Sequence, residues 1–502
     1  MDNIYFLIDE LINYGINMDL IDEIDKCYIK NRVMRLLDLE DYIDNNVKIF
    51  KKRDVQEILD DILDWLYENK KTEQNTVTYR DLKDSEIMNV FISKPSEINK
   101  IFQIKLKKDP LEAAKYFYKL SENSNYIRTS RINKNTKWTT NTEFGDLDIT
   151  INLSKPEKDP KEIAALKNVK SIEYPKCLLC RENEGYFGRI NHPGRSNHRI
   201  VSLNLNNEKW YLQYSPYVYY DEHCIVLKED HVPMKIEKTT FERLFSFIEL
   251  LPHYFIGANA DLPIVGGSIL NHDHFQGGYY DFAMTKAKIE KSFIIKNFKD
   301  VDVHILKWPL SVIRLVSKNN KSIISLGDYI LHKWKKYSDE SSDIIAFTND
   351  VSHNTITPIV RMRNGFFELD IVLRNNRTDN KHPMGIFHPH SDVHHIKKEN
   401  IGLIEVMGLA VLPSRLKLEL ELIKKYLLRN SSIEIIKNDE NLNKHIEWYC
   451  YLYDKYRNNM DEIEDIIRYE VGLKFLRVLK DAGVYKTTEK GRDSFYKFIF
   501  SL

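Results

Sequence analysis

Residues 266–278 read GGSILNHDHFQGG. Alternate side chains of extended backbone share a face. A strand over 272–276 therefore sets His272, His274 and Gln276 on one side, and Asp273 and Phe275 on the other. Two imidazoles and an amide in a row make a poor core face, because each needs a polar partner once it leaves water. Glycine pairs bracket the row, Gly266–Gly267 before it and Gly277–Gly278 after it. Inside a strand pattern such pairs point to bulges or to close approach of a ligand to the backbone. Taken alone, these residues suit both a functional strand and a polar edge strand with incidental histidines.

Moving outward, FERLFSFIELLPHYF (241–255) reads as a helix running into this stretch, and WYLQYSPYVYY (210–220) and HCIVL (223–227) as strands before it. Leu147, Ile149, Ile151 and Leu153 alternate with Asp148, Thr150 and Asn152, the pattern of a half-buried strand. The charged, proline-punctuated KPEKDPKE (155–162) reads as a connector. Downstream, HNTITPIVRM (353–362) and FFELDIVLRNN (366–376) are strand-like, and IGLIEVMGLAVLP (401–413) is an apolar run. Both ends of the chain read as helices. Val55, Ile58, Leu59, Ile62 and Leu66 recur at helical spacing, and Asp109-Pro110 is a helix start with proline in the first turn. From Ser414 onward the pattern is helical again, with three or four further helices before Leu502.

At 502 residues the chain exceeds what one hydrophobic core usually serves. Its 42% apolar and 29% charged content marks it as globular. Lys plus Arg and Asp plus Glu both number 74, a balance that argues against a nucleic-acid or membrane-surface partner. Five cysteines, Cys27, Cys177, Cys180, Cys224 and Cys450, are an odd number in a long chain and not a disulfide framework. The N-terminal MDNIYFLIDELINYG carries acids where a signal peptide is basic, and no apolar run approaches a membrane span. The expected setting is a reducing cytoplasm.

Three further groups carry chemistry. Cys177-Leu-Leu-Cys180 is a C-x-x-C unit that can hold Zn²⁺ with two more ligands, for which His231 and His272 are candidates. A redox dithiol and a pair of buried thiols are the other readings, although no thioredoxin-like βαβ pattern surrounds the pair. The loop KHPMGIFHPHSDVHHIKKEN (381–400) holds His382, His388, His390, His394 and His395, which suit a metal pair, a phosphate cluster or an ordinary solvated loop. Arg181, Arg189, Arg195 and Arg199 crowd one segment, and guanidinium groups recognise phosphate through paired hydrogen bonds.

Five segments together resemble the second class of galactose-1-phosphate uridylyltransferases: NHPGRSNHR (191–199), YSPYVYYDEHCIVL (214–227), DLPIVGGSILNHDHFQGG (261–278), HNTITPIVR (353–361) and IGLIEVMGLAVLP (401–413). The resemblance runs from about residue 125 to 430 and is most specific across Asp261–Gly278. It implies an α+β fold of two histidine-triad-like halves with mainly antiparallel sheets, flanked by helical N- and C-terminal segments. The corresponding division is 1–135, 136–290, 291–413 and 414–502. In the first class of these enzymes the motif is H-P-H-G-Q and its second histidine is the nucleophile. The frame implies His274 as nucleophile and Gln276 as its glutamine, with Asp273 and Phe275 replacing the proline and glycine. It implies substrate contacts at Asn259, Asp261, Ser268, Arg195, Arg199, Lys398 and Glu405. Ile269 fills the position of the first-class phosphate-binding serine, and Ser268 lies one residue earlier. Structural Zn²⁺ on Cys177, Cys180, His231 and His272 is implied in the same way, with no organic cofactor.

The expected reaction is uridylyl transfer from UDP-glucose to galactose 1-phosphate through a uridylyl-histidine, giving UDP-galactose and glucose 1-phosphate. The expected partners are these sugar nucleotides and hexose 1-phosphates, without nucleic acid or membrane, and a homodimer is compatible with the resemblance. The alternatives are another histidine-triad nucleotide phosphorylase or hydrolase, and a metal-dependent hydrolase.

Overall fold

A computed structural model describes residues 3–44, 53–154, 172–267 and 269–502. The chain divides into two compact units, Met1–Lys134 with Ser154–Val232, and Asn135–Leu153 with Pro233–Leu502. The mainly antiparallel sheets and the many helices make this an α+β protein.

The first unit is built on helices Ile4–Asn17, Lys26–Leu36, Val55–Glu68, Val77–Asn89, Pro95–Lys108 and Pro110–Asn123. The periodic residues Val55, Ile58, Leu59, Ile62 and Leu66 are all buried, in one cluster with Leu7, Ile8, Leu11 and Val33. Asp109 caps its helix as the sequence predicts, accepting from the N–H groups of Leu111 and Glu112. Three strands follow, Val201–Leu205, Glu208–Tyr214 and Cys224–Lys228, paired antiparallel in that order. The 210–220 stretch is a strand only as far as Tyr214, because Pro216 lacks the N–H that a ladder needs.

In the second unit seven strands pair antiparallel in the order His274–Gly278, Phe255–Gly257, Asn354–Arg363, Phe366–Asn375, Val312–Ser317, Asp302–Leu306 and Ile289–Phe293. Helices Lys238–Leu250 and Asn320–Lys335 cover one face, where Gly327 packs against Leu369 and Phe241. The helix expected over 241–255 ends at Leu250. Pro252 follows, and Phe255 already belongs to the sheet. A smaller sheet joins Thr136–Thr142 and Gly145–Ile151 antiparallel, with Leu409–Leu412 added parallel to the latter. This third strand explains why Thr150, expected to face water, is buried: Lys137 flanks it on one side and Val411 on the other. The apolar run 401–413 thus divides into a short helix, Leu403–Val406, and that strand. Beyond Ser414 the described residues form helices Arg415–Leu428, Ile433–Asn438, Ile446–Tyr456, Ile463–Ala482 and Glu489–Phe500. No helix among the described residues is long and apolar enough to cross a membrane. The connector 155–162 lies outside the described residues.

Candidate active site

The strand of the H-x-H-x-Q motif begins at His274, two residues later than the alternation suggests. Its pairing defines the faces. Gln276 lies opposite Gly257, Gly257 opposite Ile359, Ile359 opposite Asp370 and Asp370 opposite Arg314. Residues two apart share a face, so His274 joins Gln276 on this side. Asp273 and Phe275 turn the other way. Phe275 is buried, and Asp273 meets Arg243 of the Lys238–Leu250 helix at 3.4 Å, with both side chains buried. That ion pair fastens the motif to the helix behind it.

His274 is 5% exposed. Its Nδ1 lies 2.8 Å from the carbonyl oxygen of His272. A carbonyl only accepts, so Nδ1–H donates and the lone pair remains on Nε2. Burial pushes the imidazole down to about 4, against the raising effect of that hydrogen bond. The ring is therefore neutral at pH 7, as a nitrogen nucleophile must be. Gln276 is half-buried, and its Oε1 has no hydrogen-bond partner among the described residues. The glycines before the motif answer to the chain itself. A Cβ on Gly266 would meet the Ala260 carbonyl oxygen at 2.3 Å, and one on Gly267 the Asn259 amide nitrogen at 2.7 Å.

Most of the residues implied as substrate contacts already carry structural bonds. Asn259 Oδ1 accepts from the Leu403 N–H at 2.8 Å. Asp261 accepts from the Ile236 N–H at 2.8 Å and from the Thr355 hydroxyl. Glu405 accepts from Lys397 at 3.0 Å and from the Gly402 N–H at 3.2 Å, while Lys398 is exposed. In the first unit, Arg195 donates to the Tyr126 hydroxyl at 2.6 Å. Arg199 binds the carbonyl oxygens of Ser93, Ser196 and His198 and the Asn89 side chain. Ser268 lies outside the described residues. Among the histidines of the 381–400 loop, His388 sits between the Pro389 carbonyl and Asn400, each at 3.2 Å. His394 also binds the Pro389 carbonyl, and His395 meets His445 at 2.8 Å.

Sequence reasoning passed over a group on the face of His274. Arg314 and Arg361 both bind Asp370, at 2.6 and 2.7 Å, and Arg361 and Arg363 bind Glu368. It also passed over Arg374. The signal was present in FFELDIVLRNN, where Glu368, Asp370 and Arg374 alternate along a strand whose length and apolar character otherwise suit a core.

The C-x-x-C unit is a tight turn in which the Cys180 N–H donates to the Cys177 carbonyl and the Leu179 N–H to the Cys177 sulfur. The two sulfurs are 3.5 Å apart, and Cys180 Sγ is 3.0 Å from His231 Nδ1. Burial and the neighbouring Cys177 push the Cys180 thiol up to about 12, so the bare Cys180 thiol resists ionisation. A cation removes that resistance, since a coordinated thiol is deprotonated outright. Cys177, Cys180, His231 and His272 form a group able to hold a metal ion, and two thiolates with two imidazoles are a zinc donor set.

An α+β chain presenting a buried neutral histidine in an H-x-H-x-Q strand has the equipment of a nucleotidyl-transfer enzyme. Residues 19–233 match the galactose-1-phosphate uridyl transferase N-terminal domain and residues 219–448 its C-terminal domain. This chain belongs to the galactose-1-phosphate uridylyltransferase family. It is 54% identical over 496 residues to the galactose-1-phosphate uridylyltransferase of Clostridium acetobutylicum, covering 98% of both chains. Identity is 52% over 498 residues to that of Fusobacterium nucleatum, again 98% of both, and 51% over 502 residues to that of Halalkalibacterium halodurans, 99% of this chain and 98% of the other. Among solved structures, yeast Ap4A phosphorylase Apa2 matches 61% of this chain and 90% of its own at 11% identity and a TM-score of 0.32, too remote a likeness to carry an argument.

Proposed function

We propose that His274 carries the uridylyl group during the reaction of this family. The enzyme is a uridylyltransferase acting between UDP-glucose and galactose 1-phosphate. The observation that carries the covalent reading is the 2.8 Å contact of His274 Nδ1 with the His272 carbonyl, which leaves the Nε2 lone pair for attack. Nε2 bonds to the α-phosphorus of UDP-glucose. The bond from that phosphorus to the bridging oxygen breaks, and its electron pair leaves with glucose 1-phosphate. Nδ1 keeps its proton, so the intermediate is a uridylyl-imidazolium whose positive charge faces the His272 carbonyl. A phosphate oxygen of galactose 1-phosphate then attacks the same phosphorus, the P–N bond breaks, and its electron pair returns to Nε2. Gln276, on the same face, donates its amide N–H to a phosphoryl oxygen as negative charge builds there. Asn259, Asp261, Ser268, Arg195, Arg199, Lys398 and Glu405 complete the proposed substrate contacts.

Cys177, Cys180, His231 and His272 are the proposed Zn²⁺ ligands. Four protein ligands close the coordination sphere, so such an ion is structural and leaves no position for water. His272 then serves twice: its ring is a metal ligand, and its carbonyl holds the tautomer of His274.

Mass spectrometry after incubation with UDP-glucose alone tests the reading. A uridylyl adduct on His274 is expected, with exchange of labelled glucose 1-phosphate into UDP-glucose when galactose 1-phosphate is absent. No adduct and no exchange would sink the covalent mechanism.

A further inference from the structure

The face that carries His274 and Gln276 continues across the second unit's sheet, and more of its polar groups lack partners. Thr357 lies two residues before Ile359, and Arg374 four residues after Asp370. By the strand pairings both point to the side of Gln276. Thr357 is 0% exposed and its hydroxyl has no hydrogen-bond partner among the described residues. Arg374 is 1% exposed. One nitrogen, Nη2, donates to the Ile401 carbonyl at 2.8 Å, while Nε and Nη1 have no partner among the described residues. Burial pushes this guanidinium down to about 10 against the pull of Glu405, so it is still a cation at neutral pH. A buried cation with idle donors is costly unless an anion completes it.

The surroundings fit such an anion. The segment Ile401–Glu405 is tied to this face at two points: Arg374 donates to the Ile401 carbonyl, and the Leu403 N–H to Asn259. Asn259 and Glu405, two of the residues implied as substrate contacts, therefore share this corner with Arg374. Adjacent strands are about 4.8 Å apart. His274 and Arg374 stand three strand spacings apart on one face, roughly 14 Å between backbones, and the long Arg374 side chain shortens that reach.

We propose that Arg374, assisted by the Thr357 hydroxyl, binds the phosphate of the hexose 1-phosphate, which is the β-phosphate of the sugar nucleotide. The proposal rests on the uridylyl-histidine reading. In that sequence glucose 1-phosphate leaves and galactose 1-phosphate enters at one position, and the two differ only in the orientation of one hydroxyl, so one phosphate subsite serves both. When the bond to the bridging oxygen breaks, that phosphate gains a negative charge. A guanidinium placed there holds the leaving group more tightly than the substrate it came from.

Arg374→Gln, Arg374→Lys and Thr357→Val test the assignment in the full-length enzyme. The probes are galactose 1-phosphate as acceptor and glucose 1-phosphate in direct calorimetric binding. Arg374→Gln is expected to raise KM for galactose 1-phosphate and Kd for glucose 1-phosphate by about tenfold or more, with Arg374→Lys in between. Thr357→Val removes a hydroxyl that has no hydrogen-bond partner among the described residues, so folding should be kept while KM for galactose 1-phosphate rises several-fold. A brace for Ile401 alone predicts lower thermal stability with both constants unchanged, and that outcome overturns the proposal. If the Arg374 variants do not fold, Thr357→Val decides, and constants within twofold of the parent enzyme refute the subsite. Adduct formation by the parent enzyme is measured in parallel. Its absence refutes the covalent reading, whereas its presence with unchanged constants in the variants refutes only this subsite.

Discussion

Gln276 offers the sharpest separation of chemistry from folding. Replacement by Met conserves length and volume and removes the amide. Oε1 of Gln276 is buried without a partner among the described residues. Deleting it breaks no internal bond to that oxygen and relieves an unsatisfied acceptor, so stability should change by less than about 1.5 kcal/mol. The transition state, by contrast, loses a donor to the phosphoryl oxygen. A lost oxyanion-type donor costs about 2.7–4 kcal/mol, which is a fall of roughly 10²–10³ in rate. Gln276→Glu keeps the shape and sets a carboxylate against an anionic phosphoryl group, so it should fall at least as far. The assay is single-turnover quenched flow with UDP-glucose alone, following the uridylyl adduct, beside urea denaturation of each variant. An adduct rate within fivefold of the parent enzyme for Gln276→Met would refute the role. So would a loss of rate that tracks a loss of stability.

His274→Ala should abolish adduct formation and turnover with the circular dichroism spectrum unchanged, and the parent enzyme should give parallel double-reciprocal lines for its two substrates. Cys177→Ser should lower stability and activity together, with metal analysis giving about one Zn²⁺ per chain in the parent enzyme and chelation acting slowly through unfolding. Zinc near zero in fully active enzyme would contradict it. Asp370→Asn should destabilise by about 3–5 kcal/mol at pH 7, because Arg314 and Arg361 lose a buried partner. Burial alone would raise the Asp370 carboxyl, but Arg314 and Arg361 outweigh it and hold the group at about 2. Its folded value lies below the unfolded one, so this stabilisation is present above about pH 3.8 and is lost as pH falls toward 2. Acid titration of denaturation midpoints checks the sign.

Local chemistry written in short stretches was legible in the sequence. Asp109-Pro110 starts a helix because an aspartate can cap and proline suits the first turn, and neither needs a distant partner. The 354–363 and 366–375 strands follow from β-branched and aromatic residues around Asn364-Gly365, whose positive φ makes the hairpin turn. The H-x-H-x-Q frame set His274 and Gln276 on one face, and the strand pairing keeps them there.

Tertiary structure decided everything that depends on which strand lies beside which. Thr150 is buried because a strand more than 250 residues later pairs with its own, and no periodicity in 145–151 contains that information. Glycines 266 and 267, read as bulges or as close approach of a ligand, lie tight against Ala260 and Asn259 of the chain itself. Arg314, Arg361 and Asp370 come from separate strands, and only the sheet order turns three isolated charges into one buried network. Burial and the His272 carbonyl beneath Nδ1 set the state of His274, and neither is written in its local sequence. Desolvation and hydrogen bonding are properties of the folded environment, and they make this imidazole neutral with its proton on Nδ1.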